Sequence, residues 1–368
     1  MRPFVLTLVL LLPGLARAQN STPDQLLNRA MQEQQRGDLT AAIRDYRSYL
    51  TLRPNTFVAH ANLGAALAHT GQVDSAIAEY EAALKLDPQQ PGVHLDLGLA
   101  YTRKGDFVHA LPQFEAAHRA NPRDARTAIL LGDAEARTGE PGEAVAMLQP
   151  LEAANAGNSD FEYVLGEALI GAGRRREGAA CMEKSAALSN SAESWMIAGS
   201  TMLDLNEFAD ARRDLDHALA LNPDLPGLAT LTGTARDKDG DPKAAEPAFR
   251  RALQQNPNDF DANLYLGAIL YNQRNMEEAK KYLQKALELN PKSNLARYET
   301  ALWLSTSGQN QDAVQVLEKL TADDPNWLEP HVELAALYYR LHRPEDGKRE
   351  RAIVDKITAE QQQQGPGK

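Results

Sequence analysis

This sequence is short of several things, and each shortage removes a class of explanation. It has a single cysteine, Cys181, in 368 residues, so no intrachain disulfide can form and no CxxC metal or redox site exists. Cations are outnumbered, 39 Lys and Arg against 50 Asp and Glu, for a net charge of −11. A nucleic-acid backbone is therefore a poor main partner, because phosphate binding needs a basic face. Aromatic residues are only 6% of the chain. No apolar run approaches the roughly 20 residues that a membrane helix needs. Catalytic signatures are missing as well. None of HExxH, GK[ST], GxSxG or GxGxxG occurs; Gly171-Ala172-Gly173 is followed by three arginines rather than by a third glycine. No catalytic residue, no metal ligand set and no cofactor is expected.

What is present begins with an address. Residues 1–18 carry one cation at Arg2, an apolar stretch from Phe4 to Leu12, a Pro13-Gly14 break and Ala16-Arg17-Ala18. That is the layout of a cleaved secretory signal, with Gln19 as the new N-terminus. The expectation is export to a periplasm or the extracellular space; losing Arg2 and Arg17 would take the net charge to −13. No cysteine follows the segment to carry a lipid. The weaker reading of the segment is an uncleaved anchor.

The rest of the chain is periodic. Proline recurs at 54, 88, 122, 223, 257, 291 and 325, in steps of 34 with one gap of 101, three periods less one residue. Written in rows of 34 from Pro23, the chain gives ten rows, starting at Pro23, Phe57, Pro91, Ala125, Ser159, Ala192, Pro226, Phe260, Asn294 and Leu328. Position 8 holds only Gly or Ala, from Ala30 and Gly64 through Gly267 to Ala335, and so does position 20, from Ala42 to Gly347. Two columns restricted to the smallest residues predict two helices crossing too closely for any larger side chain. Position 24 is large in nine rows, among them Tyr46, Tyr80, Phe114, Phe249 and Leu283, and supplies the knob beside that contact. Position 15 is Gly in seven rows, where a left-handed residue would end the first helix. Pro141, Pro242 and Pro344 all fall at position 17, the opening turn of the second helix, where a missing N–H costs nothing. Each row thus predicts an antiparallel pair of helices, and the fold class is all-α.

These columns resemble the tetratricopeptide repeat: row two reads Leu63-Gly64, Leu67, Ala76, Tyr80, Ala83, Pro88, and row three Leu97-Gly98, Tyr101, Ala110, Phe114, Ala117, Pro122. The resemblance covers roughly 23–357. It implies a right-handed α-solenoid of about ten 34-residue repeats whose first helices line a concave groove. Repeats 1–4 (23–158) and 6–10 (192–358) would form two stacks. Repeat 5 (159–191) is degenerate, with four glycines and Asn190 in place of the closing proline; repeat 4 carries Pro150 inside its second helix. Helical glycine costs about 1 kcal/mol relative to Ala, so 141–191 reads either as a hinge or as drift with stacking intact. Pro112 and Pro247 should kink their helices. Arg351 at the knob position of row ten suits a solvating end cap, and 359–368 reads as a disordered tail.

The resemblance places function on positions 2, 5, 9, 12 and 13 of each row. The family's two-carboxylate clamp needs Lys at position 5. That column reads Leu27, Ala61, Leu95, Ile129, Tyr163, Met196, Thr230, Leu264, Tyr298 and Val332, which disfavours it. What the groove offers instead is Arg103, Arg126 and Arg137 in rows three and four, acids including Asp204 and Asp237 in rows five to seven, and Leu264, Tyr271, Tyr298, Leu302, Val332 and Tyr339 in rows eight to ten. The tyrosines read either as interface anchors or as seals between successive rows. His60, His94 and His331 share position 4 and read as packing residues, Cys181 as a small surface-to-boundary residue, and Arg174-Arg175-Arg176 as a solvated turn. The expected role is a non-catalytic scaffold holding a protein or peptide in the groove, in envelope assembly or complex organisation. The alternative is a substrate-recruiting accessory subunit of an envelope enzyme or secretion system.

Overall fold

The structure, a computed structural model, describes residues 22–364, and every regular element among them is helical. The expected signal segment and its cleavage point lie outside the described residues. The chain divides into two compact units, 22–156 with 167–173 and 157–166 with 174–364, so the division runs inside repeat 5.

The first unit contains α1 (Pro23–Gln35) and α2 (Leu39–Leu52), α3 (Phe57–His69) and α4 (Val73–Leu86), α5 (Pro91–Arg103) and α6 (Phe107–Ala120), then α7 (Ala125–Arg137) and α8 (Pro141–Leu148). After α8 come a 3-10 turn (Gln149–Leu151), the single turn α9 (Glu152–Asn155) and α10 (Ser159–Gly171), which both units share. The second unit continues with α11 (Arg175–Ser189), α12 (Ala192–Asp204), α13 (Phe208–Leu221), α14 (Leu228–Lys238) and α15 (Pro242–Gln255). It ends with α16 (Phe260–Asn272), α17 (Met276–Leu289), α18 (Asn294–Thr306), α19 (Asn310–Asp323), α20 (Leu328–Arg340) and α21 (Pro344–Gln364).

Nine of the ten first helices begin at the residue the 34-residue rows predict. The exception is α14, which starts two residues late because Gly227 takes φ +82, outside helical space. All ten position-15 residues have positive φ. Seven are the glycines, at +73 to +89; the others are Asn206, Arg274 and His342, at +61, +65 and +58. Asn tolerates this region, so it is Arg274 and His342 that hold the left-handed turn with a side chain that disfavours it. Short polar residues cap the second helices: the side chains of Asp38, Asp106, Asp241 and Asn275 accept from the amides of Ala41, His109, Ala244 and Glu278.

The small columns and the knobs meet as the pattern requires. A Cβ added at Gly98 would lie 2.5 Å from the Phe114 ring, at Gly233 2.7 Å from Phe249, and at Gly199 2.6 Å from Leu215. The ring or isobutyl group of the second helix rests on bare backbone of the first, and Phe114, Phe249 and Leu215 are among the largest fully buried side chains. Arg351 is exposed, as a terminal cap should be.

Several readings need correction. Cys181 is buried, not at the boundary, because position 23 faces the first helix of its own repeat. The helix expected to stop near 358 runs on to Gln364: Ala359, Glu360 and the glutamines are good helix formers, and no Gly or Pro intervenes before Gly365. Pro150 ends the second helix of repeat 4 at Leu148, as its place inside that helix suggested, while α6 and α15 continue as helix through Pro112 and Pro247.

Candidate functional site

Position 4 shows how tertiary structure uses a column the sequence left as packing. In repeats 2 and 10 the imidazole bridges two acceptors: His60 lies 2.6 Å from Glu79 and 2.7 Å from the Pro54 carbonyl, His331 2.6 Å from Glu350 and 3.1 Å from the Pro325 carbonyl. His94 does the same with Gln113 and the Pro88 carbonyl. A carbonyl only accepts, so Nε2 carries a proton in all three. The latch ties the closing proline of one repeat to the second helix of the next. In repeat 8 the residue is Asn263, which reaches the Pro257 carbonyl but not the second helix. Beside Asn263 and Tyr282 lies a cavity of about 560 Å³ between α15 and α17. Repeat 10 has a hollow of about 430 Å³ at the same place, bordered by His331 and Glu350, so these second-helix hollows belong to the repeat geometry rather than to the missing imidazole.

On the first-helix face of unit 1, α3, α5 and α7 enclose about 250 Å³ bordered by His69, Asp96, Arg103 and Arg126. Burial pushes the Asp96 carboxyl above its usual range, opposed by the nearby charges of Arg126 and His69. Arg103 donates to the Ala68 carbonyl at 2.8 Å, near the negative end of α3. The structure thus brings Arg103 and Arg126 to one hollow. Arg137 is not part of it; it pairs with Asp133 at 2.7 Å and lies over the Phe107 ring.

In unit 2 the apolar residues expected to form one wall separate into three environments. Leu264 is buried and floors a cavity rather than standing exposed in it. Tyr271, half-buried, shares a 2.8 Å hydrogen bond with Thr306 of the next repeat; Tyr298 packs on Trp327 at 5.1 Å. The first is a contact between successive repeats, the second reaches the residue that caps α20 at the end of its own row, and Leu302 is half-buried. Only Val332 and Tyr339, each 45% exposed, remain open to a partner, and the Tyr339 ring lies over Gly347 of its own repeat.

The open feature of this face is a cavity of about 480 Å³ among α14, α16 and α18, bordered by Asp237, Lys238, Leu264, Tyr265, Leu295 and Glu299. Asp237 and Leu264 were legible as groove positions. Tyr265 and Glu299 were not, because they occupy position 6, which the five-column rule omits. The signal was available: position 6 also carries Asp96 in unit 1, and all three line hollows on the first-helix face. Burial raises the Asp237 and Glu299 carboxyls above their usual range, and Asp237 pushes Glu299 further. Arg174 and Arg176 pair with Glu177 and Glu207 at a solvated turn.

Tetratricopeptide-repeat models match residues 101–168, 230–294 and 270–327, and a TPR-repeat model matches 66–105, together more than half of the chain. Among curated proteins, the TPR repeat-containing thioredoxin TTL4 of Arabidopsis thaliana is 31% identical over 83 residues, 23% of this chain and 12% of that protein. Cellulose synthase 1 operon protein C of Komagataeibacter xylinus is 37% identical over 71 residues, 19% of this chain. The chain spans only 12% and 5% of the length of these two relatives. Two solved structures share the fold at low identity. One is the C-terminal part of a TPR repeat-containing protein from Cytophaga hutchinsonii (16% identity, 64% of this chain and 97% of that one, TM-score 0.53). The other is the APC/C hetero-tetramer Cut9-Hcn1 (13%, 92% and 88%, 0.50). The 34-residue columns, the helix pairs they produce and the repeat models agree: the chain is a tetratricopeptide-repeat protein.

Proposed function

We propose that this protein is an exported, non-catalytic scaffold that holds a protein or peptide segment against the first-helix faces of its repeats, in envelope assembly or complex organisation. Tetratricopeptide-repeat proteins are generally protein-interaction scaffolds. The observation that carries the reading here is the cavity among α14, α16 and α18, an open hollow with an apolar floor and polar walls on a face built from three successive repeats. Such a surface holds an extended segment through many modest contacts. Export rests on the layout of residues 1–18.

The test places a photo-crosslinking residue at Ala268, which borders that cavity, and in a second variant at Val108, 71% exposed on a second helix. In native envelope fractions the Ala268 variant should capture a defined partner and the Val108 variant should not. Equal capture from both positions refutes the first-helix face as the binding surface. N-terminal sequencing of the exported pool should begin at Gln19; an intact Met1 form found only in the cytosol refutes export.

A further inference from the structure

The cavity among α14, α16 and α18 has a chemistry that specifies more than "a peptide". Asp237 comes from the last turn of α14 and Glu299 from the middle of α18, with Leu264 and Tyr265 of α16 between them and Leu295 at the edge. Neither carboxylate has a hydrogen bond or an ion pair within 4 Å among the described residues. Other buried or half-buried acids of this unit share an arginine: Glu183 and Asp214 share Arg213, while Glu246 and Glu278 share Arg250. Two lysines border the cavity, and the one whose charge acts on both Asp237 and Glu299 is Lys238. Its ammonium lies over the Tyr265 ring, 5.3 Å from the centroid, rather than on a carboxylate. Lys243 stands exposed at the border and pairs with neither.

We propose that this cavity is the specificity pocket of the groove and takes a cationic side chain, arginine or lysine, of an extended partner segment. The inference rests on the scaffold reading above. The occupant follows from complementarity of both halves of the site. Arginine and lysine combine an apolar stem with a charged head. Leu264, Leu295 and the face of Tyr265 match the stem; Asp237 and Glu299 match the head. The planar guanidinium adds stacking on a tyrosine ring and reaches two carboxylates at once, so arginine is favoured over lysine. A carboxylate-bearing or purely apolar side chain would leave two desolvated acids without a partner, the arrangement that specificity by repulsion exploits. The hollow on unit 1 already sets its acid, Asp96, among Arg103, Arg126 and His69, and serves as the internal control.

The probe is a fluorescein-labelled peptide, Gly-Ser-Leu-Arg-Leu-Ser-Gly, with versions carrying lysine, citrulline or glutamate at the central position, read by fluorescence anisotropy on the full-length protein. Citrulline keeps the size and planarity of arginine without its charge. Arginine should bind at least tenfold more tightly than citrulline, and glutamate should bind most weakly. The double variant Asp237→Asn, Glu299→Gln should abolish the preference for arginine over citrulline while leaving citrulline binding unchanged. Arg126→Gln should leave the preference intact. Equal binding of the arginine, citrulline and glutamate peptides overturns the cationic pocket but not the scaffold, since capture at Ala268 would still stand. Absence of binding by the arginine peptide up to millimolar concentration overturns the pocket as well. Loss of the preference in Arg126→Gln but not in the double variant assigns it to the other hollow and refutes the proposal.

Discussion

Replacing Gly98 by alanine sets two effects of similar size against each other, and the structure says which should win. In a free helix Gly→Ala gains about 1 kcal/mol. Here the new methyl would lie 2.5, 2.7 and 3.0 Å from three ring carbons of Phe114, which is buried and cannot swing into solvent. Overpacking a filled core costs about 1–3 kcal/mol. Repeat 1 bounds the estimate: Ala30 and Tyr46 occupy the same two positions and both are fully buried, so a methyl and a ring can coexist once the pair has shifted. The net expectation for Gly98→Ala is a loss of about 1 kcal/mol, with Gly98→Val several times worse. Gly105 is the control in the same repeat, since a Cβ there meets nothing within 4 Å and only its φ of +73 resists alanine. Urea unfolding with hydrogen exchange over 91–120 separates the two, because local opening in a solenoid is read repeat by repeat. The clash is isolated by a double-mutant cycle with Phe114→Ala, which removes the ring that the new methyl meets, so that the coupling should offset at least 1 kcal/mol of the single-site losses. If Gly98→Ala stabilises by the full propensity gain, or if the coupling is zero while Phe114→Ala alone destabilises, the close-crossing account of the Gly column is wrong.

Arg274→Gly and His342→Gly should each stabilise by about 0.5–1 kcal/mol in urea unfolding, because relief of left-handed strain exceeds the entropy glycine adds to the unfolded chain; destabilisation by either would mean the side chain contributes more than its φ costs. Glu135 is buried, and desolvation followed by repulsion from Glu143, Glu115 and Glu140 pushes its carboxyl up to about 7. Between about pH 4.5 and 7 the unfolded chain gives up this proton while the folded chain keeps it, so stability falls as pH rises through that window and levels off above it. Glu135→Gln should remove this part of the pH dependence and stabilise at pH 8 by about 2 kcal/mol; an unchanged pH profile of unfolding would refute it. Native-state hydrogen exchange should show lowest protection in 141–191, where Pro150 breaks a helix and glycines weaken the next repeat, and uniform protection across all ten repeats would mean stacking overrides those defects.

The 34-residue period by itself determined the helix pairs, their starts and the partners within each pair, because every one of those features depends on contacts less than one repeat apart. A Gly or Ala column and a large column sixteen residues later can only be satisfied by the crossing seen at Gly98 and Phe114. The left-handed turns were legible where the residue is Gly and illegible at Arg274 and His342, whose conformation is imposed by the two helices they join. What only the tertiary structure decided is which side chains share a hollow. The pairing of His331 with Glu350 crosses from first to second helix. Tyr271 is tied to Thr306 by a contact 35 residues long, which spends the apolar surface that the sequence offered to a partner. Asp237, Tyr265 and Glu299 come from three repeats and two unrelated columns. Their meeting depends on how far each first helix is rotated against the next, an angle set by the sum of many small packing contacts and written in no single row.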